Sequence, residues 1–182
     1  MPESIYYVFG HFNQPTEEKF KGIRNQFSGN VVPLFPHITL GGYAQLPLNT
    51  LINWVHTFAD AQAPLKVNFN HIGWFSGGFW FIAPRVSMNL LEFHRAFHAN
   101  YDSCLRATGY NFTLCSENWV PHVSVFSPEE NATQNDIDIL LKTFRSFSGE
   151  MTALSIYEEQ SDQPLARFEL NNLAEEQKRG KN

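Results

Sequence analysis

Residues 36–40 read Pro-His-Ile-Thr-Leu, and residues 121–125 read Pro-His-Val-Ser-Val. Each pentapeptide places a histidine after a proline and continues with a β-branched, a hydroxyl and an aliphatic residue. The two copies lie about half the chain apart. One such motif alone is most often a structural strand. Two copies in equivalent strands of two halves indicate a duplicated functional element.

The spacing within each motif has a geometric meaning, because side chains on a strand alternate between its two faces. His37 and Thr39 therefore share one face, about 6.6 Å apart along the strand, and His122 and Ser124 do the same. The aliphatic residues on the opposite face can pack on helices. If two such strands face each other, they enclose a cleft with two imidazoles and two hydroxyls.

The hydrophobic pattern around each motif predicts strands and helices of one α+β unit. The predicted strands are 5–12, 34–40, 65–74, 78–83, 120–126, 150–157 and 165–171, and the predicted helices are 16–27, 48–59, 87–107 and 133–146. No low-complexity linker separates the halves. We therefore predict a single bilobal domain over residues 1–174, with two pseudo-symmetric lobes that each pack an antiparallel sheet on helices, and the active-site cleft between them. A polar tail is expected at 175–182.

The predicted cleft suits phosphoryl transfer on an internally cyclised ester. One neutral imidazole accepts a proton from the attacking water, and the other, protonated, donates a proton to the departing ribose oxygen. The hydroxyls of Thr39 and Ser124 can donate hydrogen bonds to the non-bridging phosphate oxygens. The pseudo-symmetry leaves open which of His37 and His122 is the acid. This chemistry requires no metal or cofactor.

With these two motifs the chain resembles the 2H phosphoesterase superfamily, which is defined by two His-x-Thr/Ser-x motifs. Its layout is similar to the small cyclic phosphodiesterases and to the bacterial 2'-5' RNA ligase group. The resemblance covers essentially the whole chain and implies metal-independent action on 2',3'-cyclic or 2'-5' linkages. The ligase group often carries an arginine shortly after the second motif, whereas Phe126, Ser127 and Pro128 follow it here.

That departure favours a cyclic phosphodiesterase. Two alternatives stay open: a 2'-5' RNA ligase or 2'-5' phosphodiesterase that acts on RNA ends, and a non-catalytic module that binds a nucleotide or an RNA end. The expected ligand is a small nucleotide cyclic phosphate or an RNA terminus, and the chain is expected to act as a monomer.

Further side chains near the motifs are candidates for contact with the substrate. Phe9 and His11 lie on the first predicted strand, Tyr43 follows the first motif and Phe126 follows the second. Aromatic rings can stack on a base, and His11 is favoured because it is polar on an aromatic strand. Arg85 is interpreted as a solvated loop charge.

Two other features are interpreted as structural. His94 and His98 have the i, i+4 spacing of a zinc site, but Arg95 stands where the glutamate of that motif is expected. They flank the apolar stripe of their helix, so we predict that they face solvent. Cys104 and Cys115 are expected to be small buried apolar side chains rather than a disulfide.

The amino-acid composition and net charge exclude several classes of protein. Of 182 residues, 43% are hydrophobic and 15% aromatic, which excludes a disordered or coiled-coil chain. A net charge of −5 argues against a protein that grips duplex DNA. The first residues lack a basic signal-peptide region, and no apolar run approaches the roughly 20 residues that span a bilayer. A cytoplasmic location without membrane contact is the expectation.

Overall fold

The computed structural model describes residues 4–27, 34–76, 78–105, 119–126 and 133–171. Within these ranges the fold is α+β, as predicted, with an antiparallel sheet and four α-helices. The elements in chain order are β1 (Tyr6–Phe12), α1 (Gln14–Arg24), β2 (His37–Tyr43), α2 (Leu48–Ala61), β3 (Leu65–Phe75), β4 (Phe79–Pro84), α3 (Met88–Phe97), a 3-10 helix (Asp102–Cys104), β5 (Val123–Phe126), α4 (Gln134–Thr143), β6 (Phe147–Glu158) and β7 (Ala166–Glu169). Cys115, Ser127, Pro128 and the tail at 175–182 lie outside the described residues.

Two helix boundaries differ from the prediction for identifiable reasons. Helix α1 is capped by Asn13, whose side chain accepts a hydrogen bond from the amide of Thr16, so the helix begins two residues earlier than expected. Helix α3 ends at Phe97 rather than near residue 107. The chain then turns at Tyr101, which adopts a φ of 61° that no α-helix contains.

The chain consists of two β-α-β-α-β repeats that exchange their third strands. The first repeat is β1-α1-β2-α2-β3 and the second is β4-α3-β5-α4-β6. In the sheet order β2-β1-β6-β3-β4-β5, strand β6 pairs with β1 and strand β3 with β4, while β7 pairs with β6. Each repeat therefore completes the sheet of the other.

This exchange corrects the expectation of a separate sheet in each half. The 12 residues of β6 span the junction, because its first part pairs with β3 and its second part with β1. The predicted hairpin of β3 and β4 is present, but it joins the two repeats instead of closing the first one. The described strands form one continuous sheet of seven.

Each motif strand carries a β-bulge at the same position. Phe9 of β1 pairs with Thr39, but the preceding Val8 pairs with Gly41, so Leu40 is an extra residue in β2. In the same way Phe81 of β4 pairs with Ser124 and Trp80 with Phe126, so Val125 is extra in β5. A bulge bends its strand and changes which face the following side chains occupy.

The curvature of the sheet brings its two ends together. Strands β2 and β5 lie at opposite ends of the hydrogen-bonded order, yet they contact each other. The main core fills the space between the sheet and the helices, and a separate aromatic cluster of Tyr7, Phe9 and Tyr157 lies apart from it. Among the described residues, no helix has the length and apolar character needed to cross a membrane.

Candidate active site

The two motif histidines make the same hydrogen bond to the backbone. Nδ1 of His37 lies 2.8 Å from the carbonyl oxygen of Phe35, and Nδ1 of His122 lies 2.7 Å from that of Val120. A carbonyl only accepts, so each Nδ1 carries the proton and each neutral ring presents the lone pair of Nε2. Pro36 and Pro121 lie between each accepting residue and its histidine. The fixed φ of proline helps to set the position of the accepting carbonyl.

Two aromatic rings flank each histidine. The ring centroid of His37 is 4.2 Å from that of Phe9 and 5.1 Å from that of Phe35. For His122 the neighbours are Phe75 at 5.0 Å and Phe81 at 5.1 Å. Phe9 and Phe81 are equivalent, because each is the cross-strand partner of a motif hydroxyl residue. The two motifs thus have matched surroundings.

A glycine on β3 makes room for one of these rings. A Cβ on Gly73 would lie 2.2 Å from the ring of Phe81, its cross-strand partner. Since real Cβ atoms do not approach that closely, any larger residue would displace Phe81 and with it the wall beside His122.

Burial lowers the pKa of both histidines. The pKa of His37 falls to about 4 because burial disfavours the imidazolium; the bond to Phe35 raises it, and the charges of Arg24 and His122 lower it further. The pKa of His122 is also lowered, again mainly by burial. Both rings are therefore neutral at pH 7 in the free protein. The strands that carry the two histidines, β2 and β5, contact each other.

Thr39 and Ser124 complete what we call the histidine site, which consists of His37, Thr39, His122 and Ser124. The first three residues after His37 alternate between buried, half-buried and buried, and the neighbours of Ser124 are buried while Ser124 is not. The predicted alternation of side chains between the two faces of β2 and β5 is thus confirmed for the residues before the bulges at Leu40 and Val125. The hydroxyls lie on the same face of their strands as the imidazoles.

Arg24, which the sequence analysis missed, joins the two motif regions. Its guanidinium donates to the carbonyl oxygen of Leu34 at 2.6 Å and to that of Ser124 at 2.8 Å. Its side chain is buried at the end of α1. Helical spacing offered a signal, since Arg24 follows the buried Phe20 by four residues and so lies on the same face of α1.

His11 and Phe9, two of the predicted substrate contacts, lie beside His37. His11 is the cross-strand partner of His37 and stacks on Phe35 at 4.2 Å between ring centroids. Its Nε2 hydrogen-bonds the hydroxyl of Ser155, and its Nδ1 lies 3.3 Å from Nη1 of Arg167. The pKa of His11 is lowered to about 3 by burial, and then by the charges of Arg167 and His37.

Tyr43 and Phe126 are core residues, contrary to the expectation that they contact a base. Both are fully buried; Tyr43 packs on Trp54 and Phe126 on Phe27. The two errors have one cause, because Leu40 and Val125 are bulged. One extra residue sends every later side chain to the other face of the strand, so Tyr43 and Phe126 point into the core.

His94 and His98 are buried and do not face solvent, so that prediction is wrong. Nδ1 of His98 lies 2.7 Å from Oδ1 of Asp102, and Nε2 lies 3.1 Å from the carbonyl oxygen of Leu40. His94 stacks on Trp119 at 3.7 Å. Helix α3 and His98, the residue that follows it, therefore contact both motif regions. Among the described residues, no three histidine, cysteine or acidic side chains are grouped so that they could hold a metal ion.

Arg85 is exposed, as expected, and lies away from the histidine site. It lines a groove together with Lys66 and Glu150 at the pairing of β3 and β6. Cys104 is only partly buried and is a free thiol.

Comparisons with known proteins agree with this architecture. Residues 12–173 match the family model of the 2'-5' RNA ligase superfamily. Among curated proteins, no sequence matches significantly. Solved structures do match. TT0787 of Thermus thermophilus shares 14% identity over 91% of this chain and 97% of its own, with a TM-score of 0.63.

Two structures of E. coli LigT in complex with ligands are also similar to this chain. The structure with NADP+ shares 12% identity over 93% of this chain and 99% of LigT, with a TM-score of 0.59. The structure with 3'-AMP shares 13% identity over 94% and 99%, with a TM-score of 0.58. At these identities the likeness establishes the fold.

Proposed function

Because the chain belongs to the 2'-5' RNA ligase superfamily, we propose that it is a metal-independent cyclic phosphodiesterase that opens a 2',3'-cyclic phosphate on a ribonucleotide. The observation that carries the proposal is the matched pair of histidines. Both rings hold Nδ1 on a backbone carbonyl, so both present Nε2 for proton transfer. The complexes of LigT with 3'-AMP and NADP+ support a nucleotide as the ligand.

The reaction needs one proton acceptor and one proton donor. Nε2 of one histidine accepts a proton from water as the water oxygen bonds to phosphorus. Nε2–H of the other donates its proton to the ribose oxygen as the bond from that oxygen to phosphorus breaks. The product is a ribose phosphate monoester with one free hydroxyl. The hydroxyls of Thr39 and Ser124 donate hydrogen bonds to the phosphate oxygens, whose negative charge increases in the transition state.

The reaction needs one protonated histidine, but both histidines are neutral at pH 7 when no substrate is bound. The negative charge of a bound phosphate stabilises an imidazolium nearby, so it raises the pKa of both histidines. We therefore propose that substrate binding recruits the proton that catalysis then uses.

The second candidate is cleavage or ligation of 2'-5' linkages at RNA ends, which the superfamily match favours. It would use the same two histidines. In the part of the chain that the structure describes, Arg24 reaches the second motif region, where its guanidinium donates to the backbone oxygen of Ser124. Hydrolysis of the cyclic phosphate needs no further cation at that position, and for this reason we place it first.

The direct test is turnover of 2',3'-cyclic AMP in the presence of EDTA, with chromatographic separation of 2'-AMP and 3'-AMP. We expect a single monophosphate product at an unchanged rate with and without chelator. Loss of turnover in EDTA, or turnover of 2'-5' linked diadenylate only, would contradict the proposal. Binding of the cyclic nucleotide without any product would identify a non-catalytic module.

The lowered pKa values predict an acidic optimum for kcat/KM. The reactive complex holds one proton on its two imidazoles, and kcat/KM compares that complex with the free enzyme, so its pH profile reports the pKa values of the free enzyme. Because the pKa of His37 is about 4 and that of His122 lies below its ordinary 6.5, kcat/KM falls as the pH rises through the pKa of the donor. We expect a bell-shaped profile with its maximum below pH 6.5. The alkaline limb of kcat lies at higher pH, since bound phosphate raises both pKa values. A kcat/KM that stays flat between pH 5 and 8 contradicts this assignment.

A further inference from the structure

The open face of the sheet extends beyond the histidine site through β7. This strand follows the second repeat, and no described strand occupies the corresponding position after β3. A row of cross-strand partners leads to it from the first motif: Thr39 pairs with Phe9, Phe9 with Ser155, and Ser155 with Arg167. Since partners in an antiparallel sheet point to the same face, the side chain of Arg167 lies on the face that carries the hydroxyl of Thr39.

The guanidinium of Arg167 reaches back toward the first motif. Nη1 lies 3.3 Å from Nδ1 of His11, whose cross-strand partner is His37. Since the guanidinium has no acceptor atom, this Nδ1 carries no proton and His11 holds its proton on Nε2, which bonds the hydroxyl of Ser155. His11 and Ser155 are both buried, at 5% and 0% exposure. Two buried polar side chains therefore support a cation beside the histidine site.

Arg167 is accessible, and its other contact is weak. Nε lies 3.1 Å from Oε1 of Glu169, and the two side chains are 44% and 57% exposed. An ion pair so exposed contributes little to stability, so an anion with better geometry can replace the carboxylate. A guanidinium suits phosphate because its planar fork can donate two parallel hydrogen bonds. Arg24, by comparison, is buried and donates to backbone carbonyls.

We propose that Arg167, supported by His11 and Ser155, binds a second phosphate group of the substrate while the first occupies the histidine site. This inference rests on the proposed function for the location of the first phosphate. It narrows the substrate class to ribonucleotides with a terminal 2',3'-cyclic phosphate and a further phosphate, either a 5'-monophosphate or the phosphodiester of an RNA chain. Both sources present the same anionic oxygens to the guanidinium.

Calorimetric titration with product-like ligands tests the inference without turnover. The ligands are 3'-AMP, adenosine 3',5'-bisphosphate and the 3'-phosphorylated dinucleotide ApAp, at one fixed salt concentration. The proteins are wild type, Arg167→Gln and Arg85→Gln. The last is the matched control, because it removes the same charge from an exposed arginine in a different groove.

We expect wild type to bind adenosine 3',5'-bisphosphate about tenfold or more tightly than 3'-AMP, as a charge-assisted bidentate contact would give. Arg167→Gln should remove this preference and leave the affinity for 3'-AMP within about twofold. Arg85→Gln should keep the preference. If ApAp shows the same dependence on Arg167, the second phosphate belongs to an RNA chain; if only the bisphosphate does, it belongs to a mononucleotide.

Three results would overturn the inference: no preference in wild type, a preference that survives in Arg167→Gln, or an equal loss for all three ligands. The last would assign Arg167 a structural role through His11. The outcomes that reject the proposed function differ from those that reject the Arg167 site. A wild type that prefers the bisphosphate but opens no cyclic phosphate rejects the hydrolase and retains this site, whereas one that hydrolyses without preference rejects this site alone.

Discussion

Replacing His37 or His122 by alanine should lower kcat for 2',3'-cyclic AMP about 100-fold or more, because general acid and general base catalysis each contribute roughly that much. KM should change far less, because in the proposed mechanism Thr39 and Ser124 bind the phosphate in the variants as they do in wild type. The double variant should lose little more than either single one, because each imidazole works only with the other. Steady-state kinetics at the optimum pH measures all three.

His56→Ala is the matched control for these variants. His56 is exposed on α2 and pairs with Asp60 one turn away, so its replacement removes an imidazole without touching the histidine site. We expect wild-type kinetics within about twofold, in line with small effects at exposed positions. Full activity in the double variant His37→Ala/His122→Ala would reject both the site and the mechanism.

Arg24→Leu should destabilise the fold by about 3 kcal/mol, because the carbonyl oxygens of Leu34 and Ser124 lose charge-assisted hydrogen bonds near the protein interior. Activity should also fall, since the guanidinium holds the chain before the first motif against the strand of the second. Urea denaturation gives the stability. A drop in kcat at unchanged KM, measured well below the denaturation midpoint, gives the effect on positioning.

Arg145→Leu provides the comparison for this variant. Arg145 also donates to two backbone carbonyls, those of Lys142 and Phe144, but it is exposed. Water can replace those bonds, so the change in stability should stay within about 0.5 kcal/mol. If the two substitutions changed the free energy of unfolding equally, the buried hydrogen bonds of Arg24 would contribute no more to stability than the exposed ones of Arg145.

The motif geometry could be predicted from the sequence because it depends on strand periodicity alone. His37 and Thr39 share a face, and so do His122 and Ser124, wherever the strand lies in the sheet. The duplication also predicted that the two motif strands lie near each other, and β2 and β5 do contact each other. The two bulges could not be predicted, because Leu40 and Val125 have no residue type that marks a bulge. Tyr43 and Phe126 were placed on the wrong face for this reason.

Contacts between residues far apart in the sequence were the other feature that the sequence did not predict. The exchange of β3 and β6 depends on which strand edges meet, and local hydrophobic pattern carries no information about that. Arg167 lies at the far end of the chain from His11, so its role depends on the pairing of β6 with β1 and β7. The error at His94 and His98 has another cause. The hydrophobic pattern assigned these polar rings to the solvent, but both are buried, and the ring nitrogens of His98 are satisfied by the carboxylate of Asp102 and the carbonyl oxygen of Leu40.

The strand exchange also affects how the chain can fold as it leaves the ribosome. Strand β1 needs β6 as its second neighbour, and 139 to 152 residues separate their paired positions, which implies a high contact order and slow folding. Until β6 has been synthesised, the nascent chain exposes one edge of β1, whose aromatic-rich sequence can pair with the strands of other chains. Chaperone protection during synthesis would matter most for this first strand.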